Sequence, residues 1–242
     1  MIISHKNQYV FIEVPRTGTS SVSAELCSFY DGQRILRKHS SYWNFLAKRR
    51  QEWKDYQIFS SIRNPMDSIV SLYFKFKNSH KNPFQKSRSI GLGIGDSYFK
   101  KHYCFAQVNG NNFSDYFLKF YKRPYHDMTV SHDSMDFVMK FENLQQDFDK
   151  LLSMINIRKV RDLPIVNATH RRSRDFWSYY EKRTWERAFH VFGPYFKNWN
   201  YKFPDNWGTC RAMGYDELRW KLLNPFVKIP YFFFYLGNDK ND

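Results

Sequence analysis

The apolar positions change their period along the chain, and each change marks an element. Gln8 to Val14 (QYVFIEV) is a short, nearly continuous apolar run that reads as a buried strand. Pro15 to Ser20 replaces it with a proline, a glycine and hydroxyls, the composition of a loop. From Ser21 the apolar residues Val22, Leu26 and Phe29 fall at i, i+4 and i+7, the spacing of one helix face. The same order returns at DYQIFSSIRNPMDSIVSLYFKF. Here Tyr56 to Ile62 is the strand, Asn64 and Pro65 supply a cap and a first helical residue, and Ile69, Val70, Tyr73 and Phe76 form the stripe. It returns again at MDFVMKFENLQQDFDKLLSMI, with a strand over Phe137 to Phe141 and a helix facing the core through Leu144, Phe148, Leu151 and Ile155. Three strand-to-helix units predict an α/β fold, a single domain with a central, mainly parallel sheet flanked by helices.

Between the second and third units, Asn78 to Tyr98 is rich in Lys, Ser, Asn and Gly and reads as a long mobile loop, of a length that is usually functional or disordered. Phe113 to Tyr121 predicts a short aromatic helix and Ser173 to Phe192 a long one. Residues 1–204 are expected to form the domain, with 205–242 an aromatic tail packed on it. The tail's PFVKIPYFFFYLG is only about a dozen residues long and is broken by two prolines, too short to span a bilayer. It reads as a strap across the core, with membrane or partner contact as the alternative. The N-terminus lacks a basic stretch followed by a long apolar run, so no signal peptide or anchor is expected. Three scattered cysteines, Cys27, Cys104 and Cys210, fit a reducing compartment, and the location expected is cytoplasmic.

Charge narrows the partners. The 38 Lys and Arg against 23 Asp and Glu leave +15, which favours polyanions. Nucleic acid is one candidate, but the basic residues are spread along the chain and no nucleic-acid-binding signature appears, so it is not the partner expected. Aromatics make up 20% of the residues, a content that an aromatic core accounts for.

The loop VPRTGTSS then acquires a chemical meaning. A strand that turns into a helix leaves backbone N–H groups without intrahelical acceptors, and the helix dipole adds positive potential there, so an anion fits. Gly18 permits close backbone approach, Thr17, Thr19, Ser20 and Ser21 offer hydroxyls, and Arg16 offers a charge that can fork onto two oxygens. The second glycine and the lysine of a nucleotide-kinase loop are absent, so a P-loop kinase is the weaker alternative and no metal is expected. Arg63 ends the second strand and Ser71 lies eight residues on, in the second turn of the next helix, where both suit one further phosphate.

These residues resemble the sulfotransferases that use 3′-phosphoadenosine 5′-phosphosulfate (PAPS), particularly the glycan-modifying branch. VPRTGTSS is similar to the loop that holds the 5′-phosphosulfate, and SIRNPMDSIVSLYFKF to the 3′-phosphate motif. FENL at Phe141 to Leu144, and PIVNAT with the helix after it, support the likeness, which runs from about Tyr9 to Tyr201. The resemblance implies a P-loop-like sulfotransferase fold, PAPS as co-substrate and 3′,5′-adenosine bisphosphate as product. The acceptor it implies is a hydroxyl, on a glycan that the net charge suggests is anionic. It places Arg16 on the bridging and sulfonyl oxygens, Thr17 to Ser20 around the 5′-phosphate, and Arg63 and Ser71 on the 3′-phosphate. The family more often has Lys at the position of Arg16, and many glycan-modifying relatives have His at that of Glu13.

Sulfuryl transfer needs a base, positive charge where negative charge builds, and in-line placement. His39 in RKHSSY is the base expected, Glu13 the runner-up and His102 a more distant third. In THRRSR, Thr169 to Arg174, Arg171 is expected on the cofactor's phosphates, with Asn167 on the adenosine side. HDMTVSHD could be read as a metal site built from His126, Asp127, His132 and Asp133, but polar turn residues before a strand explain it equally well.

Overall fold

The computed structural model describes residues 1–79, 94–108, 110–126, 132–164 and 175–208, with 218, 220 and 222 beyond them. In chain order the elements are β1 (Ile2–Ser4), β2 (Tyr9–Phe11), α1 (Thr19–Phe29), β3 (Gln33–Arg34), α2 (Tyr42–Lys48), β4 (Gln57–Ile62), α3 (Pro65–Lys77), α4 (Ile94–Gln107), α5 (Phe113–Phe120), β5 (Phe137–Lys140), α6 (Leu144–Met154) and α7 (Lys182–Trp199). The described residues divide into two compact units. Met1–Asn64 and 126–164 make the first, and Pro65–Tyr125 with 175–208 the second.

The first unit holds the sheet, in the order β3-β1-β2-β4-β5. The fold is α/β, as the pattern predicts, and the sheet is mixed. β2, β4 and β5 run parallel, with Phe11 opposite Phe59 and Phe59 opposite Phe137, whereas β1 pairs antiparallel with both β2 and β3. The antiparallel side comes from MIIS, which turns back through HKNQ into β2, and from two polar residues, Gln33 and Arg34, that carry no apolar signal.

β2 is buried on both faces. Tyr9 and Phe11 point to one layer, with Val22, Leu26, Phe59, Met139, Phe148 and Leu151. Val10 and Ile12 point to the other, with Ile3, Phe45, Trp53 and Ile58. This is the period-2 alternation of a strand covered on each side, and each fully buried side chain of this size contributes roughly 1.5–3 kcal/mol. α2 is set by Ser41, whose Oγ accepts from the Asn44 N–H at 3.3 Å while Asn44 Oδ1 accepts from the Ser41 N–H at 2.8 Å. Phe29, expected in the core stripe of α1, is instead exposed, with the Arg161 guanidinium 4.6 Å over its ring. The helix's inner face runs through Leu26 to the buried Tyr30 just past its end, and Phe29 falls on the opposite side.

The second unit is helical. α3, α5 and α7 and the turns around them bury an aromatic core of Tyr73, Phe76, Phe113, Tyr116, Phe117, Phe192, Tyr195 and Trp207. The long helix begins at Lys182, later than Ser173, and continues through Pro194 to Trp199. The expected split after residue 204 falls inside this unit, where Trp207 still belongs to the core.

Candidate active site

Three parallel strands end on one edge of the sheet, so the residues that follow β2, β4 and β5 are brought together by topology alone. The first of these segments is the loop from Val14 to Thr19. Arg16 (φ 67°) and Gly18 (φ 77°) both take left-handed backbone conformations. Such positions turn neighbouring N–H groups to a common side, the geometry of an anion nest. Gly18 is also the N-cap of α1, whose first N–H groups have no acceptor within the helix.

The threonine hydroxyls face inward. Thr17 Oγ1 donates to the Val14 carbonyl at 2.9 Å and shares a 2.6 Å hydrogen bond with Ser61 Oγ, while Thr19 Oγ1 donates to the same carbonyl at 3.1 Å. Both threonines are buried, so they brace the loop, and its outer face is left to backbone N–H groups, to half-buried Ser20 and to the exposed Arg16. Ser21 sits buried in the first turn of α1. Lys38 Nζ donates to Ser20 Oγ at 3.0 Å, adding a cation at the mouth of the loop.

Arg63 follows β4. Its Nη1 donates to the Arg16 carbonyl at 3.1 Å, and its guanidinium lies 4.2 Å from the centre of the Phe141 ring, just after β5. Glu142 Oε1 accepts from the Asn64 N–H at 2.7 Å. A Cβ on Gly18 would stand 2.5 Å from Leu144 Cδ2 and 3.1 Å from Phe141 Cδ2, so FENL packs directly against the loop. Ser71 belongs to the second unit, where it is buried on α3.

His39 also has a left-handed backbone (φ 67°), and its Nδ1 lies 3.0 Å from the Glu13 carbonyl oxygen. A carbonyl only accepts, so Nδ1 carries the proton and the neutral ring presents its lone pair at Nε2. Burial holds the His39 pKa below the ordinary imidazole value. The Lys38 charge and the Met1 amino group push the same way, and the bond to the Glu13 carbonyl and the Glu13 carboxylate only partly offset them.

The Glu13 side chain has a different setting. It is fully buried, with its carboxylate accepting from the Met1 amino group at 2.6 Å and from Ser23 Oγ at 2.8 Å, and Arg34 Nη1 lies 3.6 Å away. Burial raises its pKa, but these partners outweigh that and hold the carboxyl below its usual range.

Asn167 and Arg171 lie outside the described residues, as do 80–93 and the PFVKIPYFFFYLG segment. Of the HDMTVSHD residues, Asp127 lies outside them, and His132 is buried, its pKa pushed down to about 3 by loss of solvent. Among the described residues no group of His, Cys, Asp and Glu is arranged to hold a metal. His102 is a core residue of the second unit, stacked 3.9 Å on Phe120 with its Nδ1 2.7 Å from Tyr116 Oη. No helix among the described residues is long and apolar enough to cross a membrane.

Lys38, Ser61 and Phe141 were not singled out as site residues from the sequence. Ser61 had a readable signal, one of two adjacent hydroxyls near the end of the strand; Phe141 was marked only as part of FENL, and Lys38 acquires meaning only through the fold.

The model of the family described as "Sulfotransferase family" matches residues 1–192. No curated protein and no solved structure matches the chain.

Proposed function

The chain belongs to the sulfotransferase family, and from that premise we propose that it transfers a sulfuryl group from PAPS to a hydroxyl on an anionic glycan. The observation that carries this reading is the 3.1 Å bond from Arg63 to the Arg16 carbonyl, which brings two cation-bearing strand ends into direct contact. The loop N–H groups and Arg16 receive the 5′-phosphosulfate, and Arg63 receives the 3′-phosphate.

In this mechanism His39 Nε2 takes the proton of the acceptor hydroxyl while the acceptor oxygen forms its bond to sulfur. The bond between sulfur and the bridging oxygen breaks, and the electron pair leaves with the 5′-phosphate. Arg16, Lys38 and the loop amides face the charge that develops there, and fixed donors of this kind stabilise a transition state without reorganising. His39 is the base because its Nε2 lone pair is set by the Glu13 carbonyl, whereas the Glu13 carboxylate is already occupied by buried partners. The glycan acceptor rests on the resemblance and on the +15 charge, which draws acidic chains.

Calorimetry with 3′,5′-adenosine bisphosphate and a sulfate-transfer assay on acidic glycans test the reading. Micromolar binding that Arg63→Ala weakens at least tenfold, with donor-dependent transfer, is the expected result. Absence of both binding and transfer in the folded wild-type chain overturns it.

A further inference from the structure

Arg63 and the Arg16–Gly18 loop belong to different strand-to-helix units, yet the same aromatic ring touches both. Phe141 lies beneath the Arg63 guanidinium at 4.2 Å, and its Cδ2 and Cε2 sit 3.1 and 3.3 Å from where a Gly18 Cβ would stand. Arg63 in turn donates to the Arg16 carbonyl, so loop, ring and guanidinium close a triangle of contacts. Phe141 is held in place from its own side, because Lys140 N–H donates to Asp147 Oδ2 at 2.6 Å and Glu142 Oε1 accepts from Asn64 N–H at 2.7 Å. Its neighbours in sequence are therefore tied to α6 and to the end of β4.

We infer that Phe141 is a positioning residue that locks the Arg63 guanidinium to the Arg16–Gly18 loop, so that the two phosphate sites act as one recognition unit. This rests on the proposed PAPS reading and adds to it a source of nucleotide discrimination. An arginine on a flexible stem loses several rotamers on meeting a phosphate; one already held by a ring face and a carbonyl loses fewer. A 3′-phosphate is then favoured because the loop has already oriented its receptor.

The experiment measures, on the full chain, the affinity ratio between 3′,5′-adenosine bisphosphate and adenosine 5′-monophosphate. Phe141→Leu keeps most of the packing volume and loses the ring face; Phe141→Tyr keeps the face; both are compared in the wild-type and Arg63→Ala backgrounds. Phe141→Leu is expected to shrink the ratio about tenfold, a change within reach of one cation–π contact. Phe141→Tyr is expected to restore it, and in the Arg63→Ala background Phe141→Leu has no further effect on the ratio. If Phe141→Leu weakens both nucleotides equally, or acts as strongly without Arg63, the inference is overturned while the proposed function stands. If wild-type chain binds neither nucleotide, the proposed function falls and the inference with it. Circular dichroism on each variant confirms that the fold is retained, and a Phe141→Leu variant that fails this check is replaced by Phe141→Met.

Discussion

Gly18→Ala tests the loop most directly, because two separate costs meet at that residue. The first is conformational: at φ 77° an alanine pays about 1–2 kcal/mol relative to glycine. The second is steric. The Leu144 Cδ2 atom only 2.5 Å from the new Cβ is the end of a flexible side chain and can swing aside at little cost. The Phe141 ring at 3.1 Å has less room, since it also lies under Arg63, and shifting it adds about 1 kcal/mol. The sum is about 2–3 kcal/mol, which in a chain of this size lowers Tm by roughly 4–12 °C. Gly110→Ala is the internal control, because Gly110 has φ 90° but nothing within 4 Å of its would-be Cβ. It carries the backbone cost without the steric one. Urea denaturation and thermal melts of both variants, with bisphosphate affinity measured alongside, decide the matter. Gly18→Ala is expected to be the more destabilised and the only one to lose nucleotide affinity. If the two variants lose equal stability and both keep wild-type affinity, the close packing of FENL against the loop has no energetic role.

Three further outcomes follow from the same geometry. His39→Asn is expected to lower kcat by 10² to 10⁴, the usual range for a lost general base, while bisphosphate affinity stays within about twofold; an unchanged kcat removes His39 from the mechanism. Because the His39 pKa is depressed, the wild-type rate should persist below pH 6.5 and fall only as pH drops through the lowered value; Lys38→Ala removes one cause of the depression, so its acid limb should move to higher pH. A pH–rate profile whose acid limb does not move in Lys38→Ala contradicts the proximity of that cation to the base. His132 binds a proton readily when unfolded but only near pH 3 when folded, so the unfolded state carries more protons in between and stability should fall as pH drops from about 6.5. The slope approaches roughly 1.4 kcal/mol per pH unit well inside that window, and His132→Gln should flatten it between pH 6.5 and 5, above the range where carboxylates contribute. Equal slopes in the two proteins would place His132 in contact with solvent.

The strand-to-helix units were legible because their signal is periodic and local. Tyr56 to Ile62 was expected as a strand and β4 is Gln57–Ile62; Asn64 and Pro65 mark the start of α3 as their chemistry requires. β3 was not legible, since Gln33 and Arg34 are paired only because β1 offers them a free edge. α2 was signalled by SSYWN, a capping pattern that passed unread because its serine also belongs to a polar run around His39. At the site, residue types did not give the orientation of individual atoms. Threonine hydroxyls in a phosphate-type loop suggest ligand contacts, yet those of Thr17 and Thr19 turn to the Val14 carbonyl. Glu13 and His39 looked like rivals for one proton because sequence does not say that a residue's side chain and its carbonyl face different partners.

That division within Glu13 has a consequence for how the His39 ring is set. The atom that selects the His39 tautomer is a peptide oxygen, and its position follows from the continuation of the sheet, in which the Ile12 N–H donates to the Phe59 carbonyl at 2.8 Å. Every amino acid carries that oxygen. Replacement of the Glu13 side chain therefore perturbs a buried ion cluster but leaves the proton-directing group in place, and a survey of side-chain substitutions alone would assign the tautomer to no residue at all. The instruction resides in the register between two parallel strands.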